Sequence, residues 1–240
     1  MFLKRLTLML VSNKATIWQQ FRLYMSYGLK IEFSERERLL APLLFAATIL
    51  IVITFCFATT AQIEQRVFVA EIYLAVFLAL QVSGVRLLEY EQRSEVLTLL
   101  CTYPITREVL YISKFLLYVL TSTMMLVPAL ALAYLFNARP LTGEFWYMLG
   151  IAMLVLIGLA ALGVLLSTLI MRSSSRHLLY PLLYFPLTIP LLIAAAEVSL
   201  AFLTHGQIGA DQRQWLTLLL GFDVIYLTLG ILLFGELLEG

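Results

Sequence analysis

The chain has 240 residues, of which 62% are hydrophobic and 13% charged, with a formal net charge of +1 and a mean hydropathy of +0.94. Soluble domains are about 45–50% apolar and about 25% charged, so the composition excludes a soluble globular protein and a disordered chain, and so small a charge offers no field to a nucleic acid. A membrane helix takes about 20 apolar residues, so about six spans fit, with no separate soluble domain: an all-α integral membrane protein, residues 1–240 being one transmembrane domain.

Residues 1–38 precede the first long apolar run. The stretch Leu6 to Val11 after Lys4 and Arg5 is too short for a signal peptide, and no small-residue cleavage site follows it. Ile17, Trp18, Phe21, Tyr24 and Met25 recur at helical spacing, with Lys14, Gln19, Arg22 and Lys30 between them. This predicts an N-terminal amphipathic helix in the membrane interface, serving either as a topogenic anchor or as an elbow that packs the first span against a partner.

The first span is expected at 39–61 and the second at 67–85, with Glu71 inside the second. Residues 86–106, RLLEYEQRSEVLTLLCTYPIT, follow. Val96, Leu97 and Leu100 form a helical stripe, Glu89 and Arg93 a favourable i,i+4 pair, and Glu91 and Glu95 a like-charge pair costing a few tenths of a kcal/mol in an isolated helix. Pro104 ends that helix. A solvated face accounts for the glutamates singly, whereas a docking surface for a soluble partner accounts for the carboxylate pair beside an apolar stripe. Thr106 is placed to cap the third span, with Glu108 in its first turn, where the helix dipole favours a carboxylate.

The third and fourth spans are expected at 109–136 and 145–171. In the fourth, Gly158, Ala160, Ala161 and Gly163 make a small-residue surface for close helix contact. RSSSRH, Arg172 to His177, reads as a tight turn. The fifth span, 178–203, carries Pro181, Pro186 and Pro190. Each removes a backbone donor, so this span is expected to be broken, either as a fixed kink or as a moving part. His205 falls in the next loop, where a lone histidine is more often solvated than a ligand to a haem iron. The sixth span is expected at 215–238. Glu71 and Glu197 lie toward span ends, and snorkelling to the interface accounts best for Glu197. Asp223 lies too deep for that and is expected to face the bundle interior or a subunit interface.

Thirteen of the sixteen lysines and arginines fall in 1–38, around the second connection (Arg86, Arg93, Arg107, Lys114) and at Arg172 and Arg176. Only Arg66, Arg139 and Arg213 fall on the other side. The positive-inside rule puts the rich side, and with it both termini, in the cytosol. No GxxxxGK[ST] loop, HExxH or GxSxG occurs, and His177 and His205 are the only histidines. The residues therefore offer no catalytic constellation, no metal site and no directly bound cofactor. Cys56 and Cys101 form no CxxC.

The stretch Glu89 to Lys114 resembles the cytosolic loop of ABC-2-type exporter permeases. That loop has an acidic start, a Glu-containing leucine-rich helix, a proline and then a lysine opening the next span. The counterparts here are Glu89, Glu91, Glu95, Leu97, Leu100, Pro104 and Lys114, with Arg93 and Ser94 where the family often has Gly followed by Ser or Thr. YPLLYFPLTIPLLIAAAE, Tyr180 to Glu197, and LLLGFDVIYLTLGILLFGELLE, Leu218 to Glu239, resemble the last two spans of the CcmB family, the haem exporter B subunit of cytochrome c maturation.

That resemblance implies a six-span ABC-2-type permease of the bacterial inner membrane. It implies a separate cytosolic ATPase that supplies ATP hydrolysis, and haem as the transported or handled ligand. The expected partners are a haem-handling membrane protein with tryptophan-rich segments, a small single-span subunit, a periplasmic haem chaperone and a second copy of the chain. The Glu89–Leu100 helix then becomes the ATPase-coupling element. Two alternatives stay open: an ABC-2 permease for a lipid, glycan or drug, and an ion-coupled secondary transporter using Glu71 and Asp223. An inverted repeat, common in such carriers, is not evident between the halves.

Overall fold

The computed structural model describes residues 21–22, 25–26, 28–30, 36–57, 61–85, 107–170, 173, 175–206 and 209–239. These residues form six long helices, in chain order α1 Arg36–Cys56, α2 Ala61–Val85, α3 Arg107–Phe136, α4 Gly143–Leu169, α5 Arg176–His205 and α6 Ala210–Glu239. Among the described residues there is no strand. Helix is the form in which an apolar segment satisfies its own backbone in lipid. Five of the six are long and apolar enough to cross a membrane, and α1 contributes a shorter apolar stretch, Leu40–Cys56.

α4 is the hub. It is apolar on every side, mostly buried, and packs against α2, α3, α5 and α6. α6, with 22% buried, lies at the periphery and presents Leu220, Val224, Ile225, Leu229 and Leu232 outward. α1 rests on α2 and α3. The small residues of α4 admit large partners. Gly158 meets Asp223 and Leu191, and Gly163 lies 3.2 Å from the Tyr180 hydroxyl and 3.3 Å from the Tyr118 ring, measured from where its Cβ would stand.

Each helix starts ahead of its apolar run. α2 starts at Ala61, six residues ahead of Val67, because Glu64 in its first turn suits the helix dipole and polar side chains cost nothing outside the hydrocarbon. For the same reason Ala61 belongs to α2 and not to the first span, whose helix stops at Cys56. α5 is one continuous helix through Pro181, Pro186 and Pro190, which corrects the expectation of a broken span. Its neighbours α2, α4 and α6 hold it on several sides. Extra donors also reach its carbonyls: Thr188 Oγ1 donates to Tyr184 O at 3.0 Å, and the Tyr226 hydroxyl of α6 donates to Leu187 O at 2.6 Å. α5 also reaches His205, so that residue is the last of a helix and not a loop residue. Its Nδ1 lies 3.2 Å from Ala201 O, and Gly206 closes the helix at φ 67°, a left-handed conformation that glycine adopts without a Cβ clash.

Of the N-terminal segment, residues 21–22, 25–26 and 28–30 are helical. Gly28 is buried, and its missing Cβ makes room for the Leu117 side chain of α3. The remainder of 1–35, including Trp18, lies outside the described residues.

Candidate functional site

Packing sorts the functional candidates to two ends of the bundle and one point near its middle. At one end α2 finishes, α3 and α5 begin, and α6 finishes. Gly84 of α2 meets Tyr180 of α5, and the Cβ position of Gly235 in α6 lies 2.9 Å from Arg107 Cδ of α3. Residues 86–106 join α2 to α3 here, the longest stretch between two of the described helices. Glu89, Glu91, Glu95, Leu97, Leu100 and Pro104 all lie in it and outside the described residues. At its exit Glu108 stands in the first turn of α3, and Lys114 is buried with its Nζ 5.7 Å from the Phe234 ring centroid.

The opposite end carries a polar knot. Glu71 is fully buried and does not snorkel. Thr54 Oγ1 of α1 donates to its Oε2 at 3.0 Å, and Asn137 Nδ2 donates to its Oε1 at 2.5 Å. Arg139 pairs with Glu144 at 3.3 Å and Glu64 at 4.0 Å, and its guanidinium lies 4.3 Å from the Phe68 ring centroid. The Tyr134 hydroxyl donates to Glu144 Oε1 at 3.3 Å. The turn that sets this up is a Schellman closure of α3. Arg139 N–H bonds Tyr134 O at 2.9 Å and Ala138 N–H bonds Leu135 O at 3.1 Å, with Ala138 left-handed at φ 50°. Nothing in the sequence marks Thr54 and Asn137 as partners of Glu71, or Glu64, Tyr134 and Glu144 as the group around Arg139. The only sequence signal was the polar Asn–Ala–Arg–Pro interruption between two apolar runs.

Asp223 is buried, and it faces the bundle interior. Its oxygens press toward Gly158 of α4, whose missing Cβ makes the space, beside Leu191 of α5. No described group donates a hydrogen bond to either oxygen. One turn further along α6, Tyr226 grips the α5 backbone at Leu187, between Pro186 and Pro190. Asp223 and Tyr226 of α6 thereby line the Leu187–Leu191 stretch of α5, which holds Pro190, while Glu71 belongs to a separate cluster. Glu197 is exposed, as its position near a span end suggests.

Buried tyrosines were likewise unforeseen. Tyr111, Tyr118 and Tyr184 donate to backbone carbonyls of neighbouring helices, at Ala161 (3.2 Å), Leu80 (2.8 Å) and Leu159 (3.3 Å). Carbonyl acceptors leave no trace in sequence. Among the described residues no group of His, Cys, Asp and Glu is arranged to hold a metal ion.

Comparison with curated proteins gave no match. A family model described as CcmB protein matches residues 19–239, nearly the whole chain and all six helices. The chain therefore belongs to the CcmB family of multi-pass membrane permease subunits, which serve haem transport and c-type cytochrome biogenesis alongside an ABC ATPase.

Proposed function

We propose that this chain is the permease subunit of an ATP-driven complex in the bacterial inner membrane, with both termini cytosolic. A separate cytosolic ATPase docks on residues 86–106, and the complex delivers haem to a periplasmic haem chaperone for c-type cytochrome assembly. The other components are a haem-handling membrane protein with tryptophan-rich segments, a small single-span subunit and a second copy of this chain. The family match over residues 19–239 carries the reading.

The geometry supports it in two ways. The end of α2 and the start of α3, which residues 86–106 join, lie at the lysine- and arginine-rich end, where a cytosolic engine has access. The bundle around it is apolar, and the sequence has no phosphate cradle of its own. The ion-coupled alternative needs Glu71 open to ions, and Thr54 and Asn137 instead occupy both of its oxygens.

Purification in mild detergent, with mass spectrometry of partners and a haem absorption spectrum, is the direct test. The expected outcome is an ATPase and haem-handling proteins in the same complex. Charge reversal of Glu91 and Glu95 together is expected to lower ATP hydrolysis linked to haem delivery without dissolving the complex. Unchanged coupling in that variant removes the docking role of the loop.

A further inference from the structure

α5 is gripped on the N-terminal side of Pro186 by the last turns of α2. Tyr180 and Tyr184 are fully buried and stacked, with centroids 5.1 Å apart and planes 19° apart. Phe77 of α2 stacks on Tyr184 at 5.6 Å and 3°, and meets Phe185 edge-on at 5.0 Å. The hydroxyl end of Tyr180 takes the place of a Cβ at Gly84, and Tyr180 Cζ lies 2.6 Å from that position. Ser167 of α4 braces the same spot, its hydroxyl lying 3.0 Å from Gly84 O and 2.6 Å from Gly163 O. Gly84 is the second-last residue of α2, so the 86–106 segment begins two residues later.

We propose that Tyr180 seated on Gly84 is the key through which the root of that loop moves the proline-bearing span. The proposal rests on the reading that an ATPase docks on the loop, and it names the positioning residues that carry the movement inward. Three physical points support it. The ring sits directly on the α2 backbone, with no intervening side chain to yield. Tyr180 is sealed on all sides, so a displaced α2 end cannot be absorbed by a swing of the ring into free space. Pro181 and Pro186 supply no N–H to the α5 ladder, so the segment holding Tyr184 and Phe185 bends at lower cost than an unbroken helix. Movement of the α2 end therefore reaches α5 where α5 is softest.

The test uses the purified complex with its ATPase. Three quantities are read: co-purification of the ATPase, melting temperature, and the ATP hydrolysis rate of the complex relative to the free ATPase. Gly84→Ala is expected to keep the ATPase bound and to lower that ratio by about fivefold, the size of effect that coupling substitutions produce. Adding Tyr180→Leu, which vacates the space, is expected to restore much of it, a non-additivity that marks direct contact. Ser167→Ala, a small change that leaves the packing in place, is expected to lower the ratio by about twofold. An intact complex with an unmoved ratio in Gly84→Ala overturns the proposal, as does a double variant worse than the single one. If Gly84→Ala fails to fold, Ser167→Ala decides, and an unchanged ratio there overturns it too. Loss of the ATPase from the unsubstituted complex instead removes the docking reading itself, and the key with it.

Discussion

Two carboxylates lie inside the bundle in opposite circumstances. Glu71 has a donor on each oxygen, from Thr54 and Asn137. Asp223 has none among the described residues, and packs against Gly158 and Leu191. Removing the acceptor from a satisfied pair strands its donors, whereas replacing an unpaired buried acid with an apolar group removes an uncompensated polar atom. Glu71→Leu is therefore expected to lower the stability of the purified protein by about 2–3 kcal/mol. Asp223→Leu is expected to leave it level or raise it by about 1–3 kcal/mol, while haem delivery falls. Thermal unfolding and delivery assays on the same preparations read both. If Asp223→Leu leaves assembly and delivery untouched, the acid has no functional role. A second prediction concerns Ala138, held at φ 50° between the two residues that organise the Glu71 knot. A left-handed alanine costs roughly 1–2 kcal/mol, so Ala138→Gly is expected to stabilise by about 1 kcal/mol, read as a rise in melting temperature. Asp223 was legible in the sequence as a buried charge because depth alone argues for it. Its unpaired state was not, since that depends on what α4 and α5 happen to present.

α5 shows how far an element's chemistry outruns its pattern. Three prolines in ten residues argue for a break, yet the helix is continuous from Arg176 to His205. Missing backbone donors weaken a helix only locally, and packing against α2, α4 and α6 supplies the constraint that the ladder lacks. Whether this proline-bearing segment stays rigid or bends in the working cycle is an experimental question with a clean variant. The Pro186 ring is exposed, so Pro186→Ala removes little packing and returns an N–H to the carbonyl of Leu182. The expected outcome is a higher melting temperature with slower haem delivery. Unaltered delivery in a stiffened α5 shows that bending of this segment plays no part. Helix identity was readable throughout, because long apolar runs in lipid have no other backbone solution. Helix ends were less so, since polar first turns such as Gln62 to Arg66 extend α2 past its apolar stretch.

The molecule as a whole has two unlike ends. One gathers the long 86–106 connection, Lys114 and the Gly84–Tyr180 contact, and the other is closed by the knot around Glu71 and Arg139. The proposed orientation puts the knot outside the cell, and Cys56, free and exposed at the end of α1, lies at that end. In a Cys101→Ala background a membrane-impermeant maleimide added to intact spheroplasts is therefore expected to label Cys56. Labelling only after membrane disruption reverses the orientation.

Composition and apolar run lengths settled the class of molecule, because the bilayer is a solvent that each segment meets on its own. The kinship was written in local stretches, the loop after α2 and the last two spans, that need no folding to be read. The pairing of Glu71 with Asn137, the burial of Asp223 against a glycine and the seating of Tyr180 on Gly84 came only from assembly. Each joins residues far apart in the chain, through a missing Cβ or a single hydrogen bond that depends on how two helices cross.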